Sequence, residues 1–196
     1  MATANTQPPS AVRLTQYAAL DIKGADAEKF LQGQASAQVG LANGTFAPLT
    51  CFCTPKGRML ANGQLLRLGS DHFRLVLDAS LADGLLTHLK KFAAFYKAEL
   101  SVVGSVTFAG ASEPADTLAN QLDITLPDQP YTHTTSSKGT ALRMPGKPRW
   151  LLMFEEDASD LVNSDDALHN EWQLADIRSG LAWLTAKQQD HFLPQM

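Results

Sequence analysis

Residues Ile22–Gln34 read IKGADAEKFLQGQ and contain the end of a strand, a break and a short helix. Alternation of apolar and polar side chains through Tyr17–Ile22 predicts the strand, and Gly24 ends it. Asp26 and Glu28 then place negative charge in the first turn of a helix, where the helix dipole favours it. The apolar face of that helix is supplied by Ala27, Phe30 and Leu31. This stretch therefore predicts a sheet with a helix packed against it.

The chain that follows predicts the rest of the same lobe. Apolar runs separated by turn residues predict three further strands, Thr45–Cys53, Arg58–Leu68 and Phe73–Leu77. Leucines at helical spacing predict a helix over Ser80–Phe92, with Ser80 as its N-cap. A strand over Ala98–Val103 completes this lobe.

After that strand the pattern starts again. Strands are predicted over Val106–Ala109, Thr140–Met144 and Trp150–Phe154, and helices over Pro114–Leu122 and Ala158–Val162. The resulting order, β-α-β-β-α, is ferredoxin-like. Between these elements Pro127–Gly139 is rich in Pro, Thr and Ser, which predicts a surface loop.

A last helix is predicted over Asn170–Gly180, with Gly180 at its C-terminal cap position. Trp172, Asp176 and Ser179 fall near one face of it. The fold class is α+β, with two lobes of antiparallel or mixed sheet and helices packed on them. We expect a disordered tail over 1–11, a first lobe over 12–104 and a ferredoxin-like lobe over 105–169. Residues 170–196 are expected to return to the first lobe.

Length and charge limit the classes of function. With 196 residues the chain can bury a sizeable core, and its 44% hydrophobic and 18% charged residues are those of an ordinary globular protein. The net charge of −4 provides no basic field for counterion release, so direct nucleic-acid binding is not expected. The start lacks the features of a secretory signal, and no run approaches the ~20 apolar residues of a membrane span. We expect a cytoplasmic monomer without membrane contact.

Neither the cysteines nor the histidines predict a catalytic or metal centre. Cys51 and Cys53 are alternate residues of a strand, where disulfide geometry is rarely met, and two ligands cannot close a tetrahedral zinc site. We interpret them as two small buried side chains. The histidines lack the i, i+4 spacing of a helical metal site; they are His72, His88, His133, His169 and His191.

Four blocks carry a resemblance to a known family; they are Gly24–Gln34, Cys53–Met59, Leu89–Phe95 and Trp172–Gly180 followed by FLPQM. In this order they resemble the YgfZ-type folate-binding proteins, relatives of the glycine-cleavage aminomethyltransferase (GcvT). The resemblance implies a GcvT-like fold, with lobes around a central folate site and a C-terminal barrel that this chain does not contain. In the family a Lys-Gly-Cys motif on which activity depends follows a segment like FLPQM. Here the sequence ends at Met196, so the resemblance implies a chain cut short before its reactive cysteine.

The same resemblance implies tetrahydrofolate, or another reduced folate, as the cofactor. A pterin needs an aromatic or apolar wall and acceptors for its ring N–H groups, and the glutamate tail needs cations or backbone donors. The two wall aromatics of the family match Tyr17 and Trp172. Family members can carry Trp at the first position, so the Tyr17 hydroxyl is a departure that requires a partner. The alternative is that both residues are core aromatics.

Four further residues are candidates for the folate site. Lys56 and Arg58 lie at a turn where cations could meet the folate tail, or they are solvated hairpin charges. Gln32 and Gln34 follow the first helix and could bond the pterin, or they cap the helix end. The pair Lys90-Lys91 is interpreted instead as the exposed end of a helix.

The absence of a pair of aspartates separates the two functions that the resemblance could imply. In the aminomethyltransferases the strand matching Arg58–Leu68 carries paired aspartates, one of which holds the folate and assists the transfer. Here the corresponding residues are Ala61 and Asn62, and neither can act as a carboxylate base. The resemblance then implies a folate-binding accessory protein whose partners are iron–sulfur enzymes or assembly proteins and, through them, tRNA modification. A folate-dependent aminomethyltransferase is the alternative, and a protein-interaction module without ligand is the third hypothesis.

Overall fold

The computed structural model describes residues 11–195 of the chain. The tail predicted over 1–11 lies outside the described residues, except for Ala11, which begins the first strand. In chain order the strands are β1 Ala11–Arg13, β2 Tyr17–Lys23, β3 Leu49–Cys53, β4 Met59–Gly69, β5 His72–Asp78, β6 Glu99–Val103, β7 Thr107–Ser112, β8 His133–Thr135, β9 Gly139–Arg143 and β10 Arg149–Phe154. The helices are α1 Ala27–Gln32, α2 Ala82–Ala93, α3 Asp116–Leu122 and α4 Asp166–Arg178. None of these described helices is long and apolar enough to cross a membrane.

The first sheet contains β3, β4, β5, β2 and β6 in that order, and all neighbouring strands are antiparallel. Alternation along β2 sends Leu20 and Ile22 to the same face. That face packs against α1 and α2, whose Phe30 and Leu89 are fully buried in the same cluster. The strand, break and helix predicted for Ile22–Gln34 are therefore confirmed.

The second sheet contains β1, β7, β10, β9 and β8 in that order, again with antiparallel neighbours. The elements β7, α3, β9 and β10 follow the ferredoxin-like order, with β10 between β7 and β9. α3 packs on the outer face of this sheet, where its Leu118 and Leu122 meet Trp150 and Leu152 of β10. The predicted ferredoxin-like arrangement of the second lobe thus describes the observed sheet.

The two sheets face each other through a shared apolar core. Ala19, Leu66 and Val76 of the first sheet belong to one buried cluster with side chains of the second sheet. The residues from the second sheet are Phe108, Leu142, Leu151 and Met153. The layers therefore run helix, sheet, sheet, helix, and α4 lies along β1. The predicted α+β class, two antiparallel sheets with helices packed on them, is confirmed.

A buried ion cluster also joins the two sheets. Arg74 of β5 donates to both carboxylate oxygens of Asp21 on β2, over 2.7 and 3.1 Å. It also pairs with Glu155, which directly follows β10 of the second sheet. His72 Nε2 lies 2.8 Å from Asp21 Oδ2. Burial alone would raise the pKa of Asp21, but the hydrogen bonds and charges of Arg74 and His72 outweigh it and hold that pKa below its ordinary value.

The loop predicted over Pro127–Gly139 is partly wrong, because a short strand lies inside it. β8 pairs with β9 at the edge of the second sheet, and His133 is buried there. The backbone N–H of His133 donates to the carbonyl oxygen of Thr45 over 2.7 Å, so contact with a distant segment holds this strand. Burial also lowers the pKa of the His133 imidazole to about 4.

Two helix predictions also need correction. Ser80 does not cap α2; it lies in a 3-10 turn before that helix, and its amide donates to the Asp78 carboxylate over 3.0 Å. The Asp78 carboxylate caps this 3-10 turn, and the N-cap residue of α2 itself is Leu81, which provides no side-chain cap. The helix predicted over Ala158–Val162 is a single 3-10 turn, Ser159–Leu161, because the chain then extends to bond β1 through Asn163.

The chain after α4 runs back to the first sheet. The amide of Met59, at the start of β4, donates to the carbonyl oxygen of Phe192 over 2.9 Å. The carbonyl oxygen of Met59 accepts from the amide of Asp190, also over 2.9 Å. These two bonds fix the end of the described chain alongside β4.

Candidate functional site

The candidate site is built on α4, and the local sequence fixes both ends of this helix. The Asp165 carboxylate caps the N-terminus, where it accepts from the amide of Ala167 over 2.8 Å. At the other end Gly180 has a φ of 72°, and the amide of Leu181 donates to the carbonyl oxygen of Asp176 over 2.9 Å. Gly180 ends the helix as predicted, in the left-handed conformation one residue after the C-cap Ser179, while α4 begins at Asp166, four residues before the predicted start.

Trp172 and Asp176 lie one turn apart on α4, so they share a face, as predicted, and both are buried. The Asp176 carboxylate accepts hydrogen bonds from Arg149 Nη2 at 2.6 Å, the Tyr17 hydroxyl at 3.0 Å and Trp183 Nε1 at 3.1 Å. Trp172 Nε1 in turn donates to the Tyr17 hydroxyl over 3.1 Å. Because Tyr17 lies on β2 and Arg149 on β10, the Asp176 carboxylate connects α4 to both sheets.

The Tyr17 hydroxyl has the partner that a buried phenol needs. Burial, followed by the charge of Asp176, raises the pKa of Tyr17 above its ordinary value, so the phenol keeps its proton and donates it to the carboxylate. The Tyr17 ring is 6% exposed and packs against Trp183, with ring centroids 4.9 Å apart. Tyr17 is therefore part of the core behind the site and has no open ring face.

A pocket of about 570 Å³ opens between α4 and the turn that joins β9 to β10, and we call it the α4 pocket. Its apolar lining includes Leu168 and Leu174, and its charged lining includes Lys147, Glu171 and Arg178. Trp172 and Arg149 also line it, and both are almost fully buried. The volume and the mixture of apolar and convergent polar groups are those of a small-molecule site.

Arg149 has unused hydrogen-bonding capacity in the wall of the α4 pocket. Its side chain is 3% exposed and donates through Nη2 to Asp176. Two other nitrogens, Nε and Nη1, are shielded from solvent and have no hydrogen-bond partner among the described residues. Unused donors on a buried cation cost free energy, and an anionic acceptor that reaches them would relieve that cost.

The indole of Trp172 has little free surface. The guanidinium of Arg149 lies over this ring, 4.6 Å from its centroid. Gly110 of β7 lies so close that a Cβ atom there would be 2.4 Å from Cε3 of Trp172. A flat ligand in the α4 pocket therefore meets the stacked pair of Arg149 and Trp172, and it reaches an open indole face only if the guanidinium moves.

The structure brings together two of the six residues predicted for the folate site, Tyr17 and Trp172. Gln32 is exposed at the end of α1, where its Oε1 accepts from the amide of Val39 over 2.9 Å. This contact holds the 3-10 turn Val39–Leu41 and does not cap the end of α1, whose last carbonyl oxygens accept from the backbone amide of Gly33. Gln34 lines a different concavity, of about 370 Å³, beside the C-terminal end of α2.

The two predicted cations also lie outside the α4 pocket. Lys56 and Arg58 are both exposed in the turn between β3 and β4. Arg58 Nη1 donates to the carbonyl oxygen of His191 over 2.9 Å, so this cation binds the returning chain. Their role towards a folate tail stays a prediction.

Ala61 and Asn62, which stand in place of the paired aspartates, have structural contacts. Ala61 is fully buried in the core of the first sheet. Asn62 Nδ2 donates to the carbonyl oxygen of Ala182, and Asn62 Oδ1 accepts from the amide of Leu184, each over 2.7 Å. Since its amide group is used at both ends, Asn62 holds the segment after α4 in place.

Sequence reasoning did not select Arg149, although a signal was present. Arg143 and Arg149 interrupt two apolar runs, ALRM and RWLLMF, on either side of the turn Pro145-Gly146-Lys147-Pro148. A cation within a buried strand requires a partner, and here the partner is Asp176 on the predicted helix face. Within residues 11–195 no group of three or more potential ligands could hold a metal ion.

Comparison of the sequence with curated proteins gives relatives along almost the whole chain, although no protein-family model matches it. The chain is 30% identical over 198 residues to the protein named tRNA-modifying protein YgfZ of Cronobacter sakazakii. It is 31% identical over 200 residues to the protein of the same name from Klebsiella pneumoniae. The chain is thus similar to proteins named tRNA-modifying protein YgfZ over most of its own length. It covers 59% and 60% of the length of these two YgfZ relatives, while they match 96% of it. An uncharacterized protein of Haemophilus influenzae is 29% identical over 185 residues, which are 94% of this chain and 58% of that protein.

Comparison with solved structures identifies the fold that this chain adopts. The glycine cleavage system aminomethyltransferase T from Bartonella henselae superposes with a TM-score of 0.65 and 15% sequence identity. The match covers 86% of this chain and 46% of the aminomethyltransferase. The GcvT-like fold predicted from the sequence blocks is therefore confirmed.

Proposed function

We propose that this chain is a cytoplasmic protein that binds tetrahydrofolate, or another reduced folate, and supports tRNA modification as an accessory to iron–sulfur enzymes or their assembly proteins. Its similarity to proteins named tRNA-modifying protein YgfZ supports the connection with tRNA modification. Its GcvT-like fold supports the folate part of the proposal. The net charge of −4 favours action on tRNA through a partner enzyme over direct binding of RNA.

The observation that carries the folate proposal is the buried Arg149 in the α4 pocket, with two unused donor nitrogens. A folate combines a flat pterin, an aromatic linker and glutamate carboxylates. The carboxylates suit Arg149 and the rim cations Lys147 and Arg178, since a guanidinium binds a carboxylate through paired hydrogen bonds. The Glu171 carboxylate offers an acceptor for N–H groups of a pterin. The apolar lining suits the aromatic linker.

The aminomethyltransferase alternative is less well supported. It requires a carboxylate near the reacting amine, and the matching positions carry the buried Ala61 and the fully engaged Asn62. The third hypothesis is a protein-interaction module without ligand. It does not explain why a buried Arg149 has two donor nitrogens without a partner. We therefore retain the accessory protein as the proposal.

The test is calorimetric titration of the chain with 5-formyltetrahydrofolate, a chemically stable reduced folate. Arg149→Lys keeps the charge and can still pair with Asp176, but it removes the planar fork of donors. Hydrogen bonds to charged groups contribute about 1.5–3 kcal/mol, so we expect binding to weaken roughly 10- to 150-fold. Arg58→Lys is the matched control, because the same change is made at an exposed cation outside the pocket.

Two results would contradict the proposal. If the folded chain shows no saturable heat at millimolar folate, this chain does not bind the cofactor. If Arg58→Lys weakens binding and Arg149→Lys does not, folate binds at the turn between β3 and β4 and the α4 pocket has another ligand. The accessory role is tested separately, by measuring thiolated tRNA in cells that lack their own homologue and express the chain or either variant.

A further inference from the structure

We propose that Cys51 and Cys53 form a dithiol site that reacts with low-molecular-weight disulfides, such as glutathione disulfide, and closes into an intramolecular disulfide. They are the two cysteines of the chain. Neither lines the α4 pocket, and neither is used in the proposed folate site. The inference is therefore independent of the proposed function.

The geometry of β3 brings the two sulfurs unusually close. Alternate residues of a strand lie roughly 6.6 Å apart along it, yet the Sγ atoms of Cys51 and Cys53 are 3.8 Å apart. The register between β3 and β4 shifts between Phe52 and Cys53, where the partner on β4 changes from Ala61 to Met59 and Leu60 of β4 is the extra residue. A bulge bends the ladder locally and re-aims side chains. The two sulfurs of β3 are therefore nearer to each other here than the ordinary spacing of alternate strand residues.

Closing the bond requires a small movement. A disulfide has its sulfurs about 2.05 Å apart, so the two Sγ atoms must approach by roughly 1.8 Å. Rotation of a cysteine side chain about χ1 from one staggered rotamer to another moves its sulfur over a distance of this order. Both side chains are free thiols in the structure.

The surroundings give the two thiols different roles. Cys51 is buried, and its thiol donates to the hydroxyl of Ser36 over 3.2 Å. Cys53 is only partly buried, so it is the sulfur that a dissolved disulfide reaches first. Burial, together with the neighbouring Cys51, raises the pKa of the Cys53 thiol to about 11. Little of the Cys53 thiol is therefore ionised at neutral pH, so the site reacts slowly with oxidants.

The reaction is a balanced thiol–disulfide exchange. The thiolate of Cys53 attacks one sulfur of glutathione disulfide, which forms a mixed disulfide and releases one glutathione thiolate. The thiolate of Cys51 then attacks Sγ of Cys53, closes the protein disulfide and releases the second glutathione. The two thiol protons of the protein end on the two glutathione molecules. Two electrons pass from the protein dithiol to glutathione disulfide, which is the only oxidant required.

The experiment incubates the reduced, folded chain with excess glutathione disulfide, traps free thiols with N-ethylmaleimide and records the intact mass. We expect the loss of two hydrogen atoms and complete loss of maleimide labelling. Cys51→Ser removes the resolving thiol, so this variant should retain one glutathione on Cys53. Circular dichroism of each variant establishes that it is folded, and Cys51→Ala is the second variant if Cys51→Ser is not.

Three outcomes would overturn the inference. A wild-type chain that keeps one glutathione would show that Cys51 cannot reach Cys53. A wild-type chain that labels at both thiols, while the urea-unfolded chain is oxidised by the same reagent, would show that the folded site does not react. A Cys51→Ser chain that gains no glutathione would show that Cys53 is not the attacking thiol.

Discussion

Substitution of Gly110 by alanine should destabilise the protein, because Gly110 lies directly against the indole of Trp172. A Cβ atom at this position would be 2.4 Å from Cε3 and 2.8 Å from Cζ3 of Trp172. Carbon atoms pack at roughly 3.5–4 Å, so the ring must retreat by about 1 Å. It has little room, since Arg149 covers the ring and Tyr17 holds its Nε1.

The size of the effect follows from two opposing contributions. Overpacking of a well-packed core costs about 1–3 kcal/mol. Replacing glycine by alanine lowers the conformational entropy of the unfolded chain, which stabilises the folded protein by about 0.4–1 kcal/mol. The net loss for Gly110→Ala is therefore about 1–2 kcal/mol, which for a domain of this size lowers Tm by roughly 2–8 °C.

Urea unfolding followed by circular dichroism measures this loss, and Gly84→Ala provides the matched control. Gly84 lies within α2, and a Cβ atom there would have no heavy atom within 4 Å. Alanine is favoured over glycine inside a helix, so Gly84→Ala should raise the unfolding free energy by about 0.5–1 kcal/mol. Equal stabilisation by both substitutions would refute the packing of Trp172 against Gly110.

Three further predictions concern polar side chains that hold the fold together. The folded-state pKa of Asp21 is held below its unfolded value, so the Asp21 carboxylate contributes stability above about pH 4 that is lost as the pH falls through the folded-state pKa. Asp21→Asn should flatten this acid limb of the unfolding free energy, and an unchanged limb would show that the pairing with Arg74 does not set it. Asn62→Asp replaces the donor to Ala182 by an acceptor, so it should cost about 1–3 kcal/mol in urea unfolding without creating transferase activity. Asp176→Asn removes the charge that neutralises a buried arginine and should cost about 3–5 kcal/mol; a loss below 1 kcal/mol would contradict the buried pairing.

Local patterns in the sequence were sufficient for most of the fold. Strand β2 and helix α1 follow from alternation, a glycine break and early acidic residues, and α4 follows from its spacing and Gly180. The pattern did not predict β8, since this strand forms only where His133 bonds Thr45 in a distant segment. Short elements held by tertiary contacts carry no periodic signal of their own.

The candidate site was harder to predict from the sequence than the fold, because its contacts join residues far apart in the chain. Tyr17 and Trp172 were selected through the resemblance, and the carboxylate that joins them, Asp176, was noted only as a helix position. Arg149 was not selected, although it directly precedes the predicted strand Trp150–Phe154. Its burial, its stacking on Trp172 and its unused donors depend on how α4 packs against β10. No local spacing of residues in the sequence predicts how α4 packs against β10.

The same contacts that form the wall of the α4 pocket also hold the two sheets together. The Tyr17 hydroxyl joins β2 to α4 through Asp176, and Arg149 joins β10 to the same carboxylate. A variant such as Tyr17→Ala therefore removes core packing as well as any contact with a ligand, and loss of folate binding in it would not identify a ligand contact. Arg149→Lys keeps the charge and can keep the pairing with Asp176, so it separates the two effects. Substitutions at this junction identify binding residues only where the unfolding free energy is measured beside the affinity.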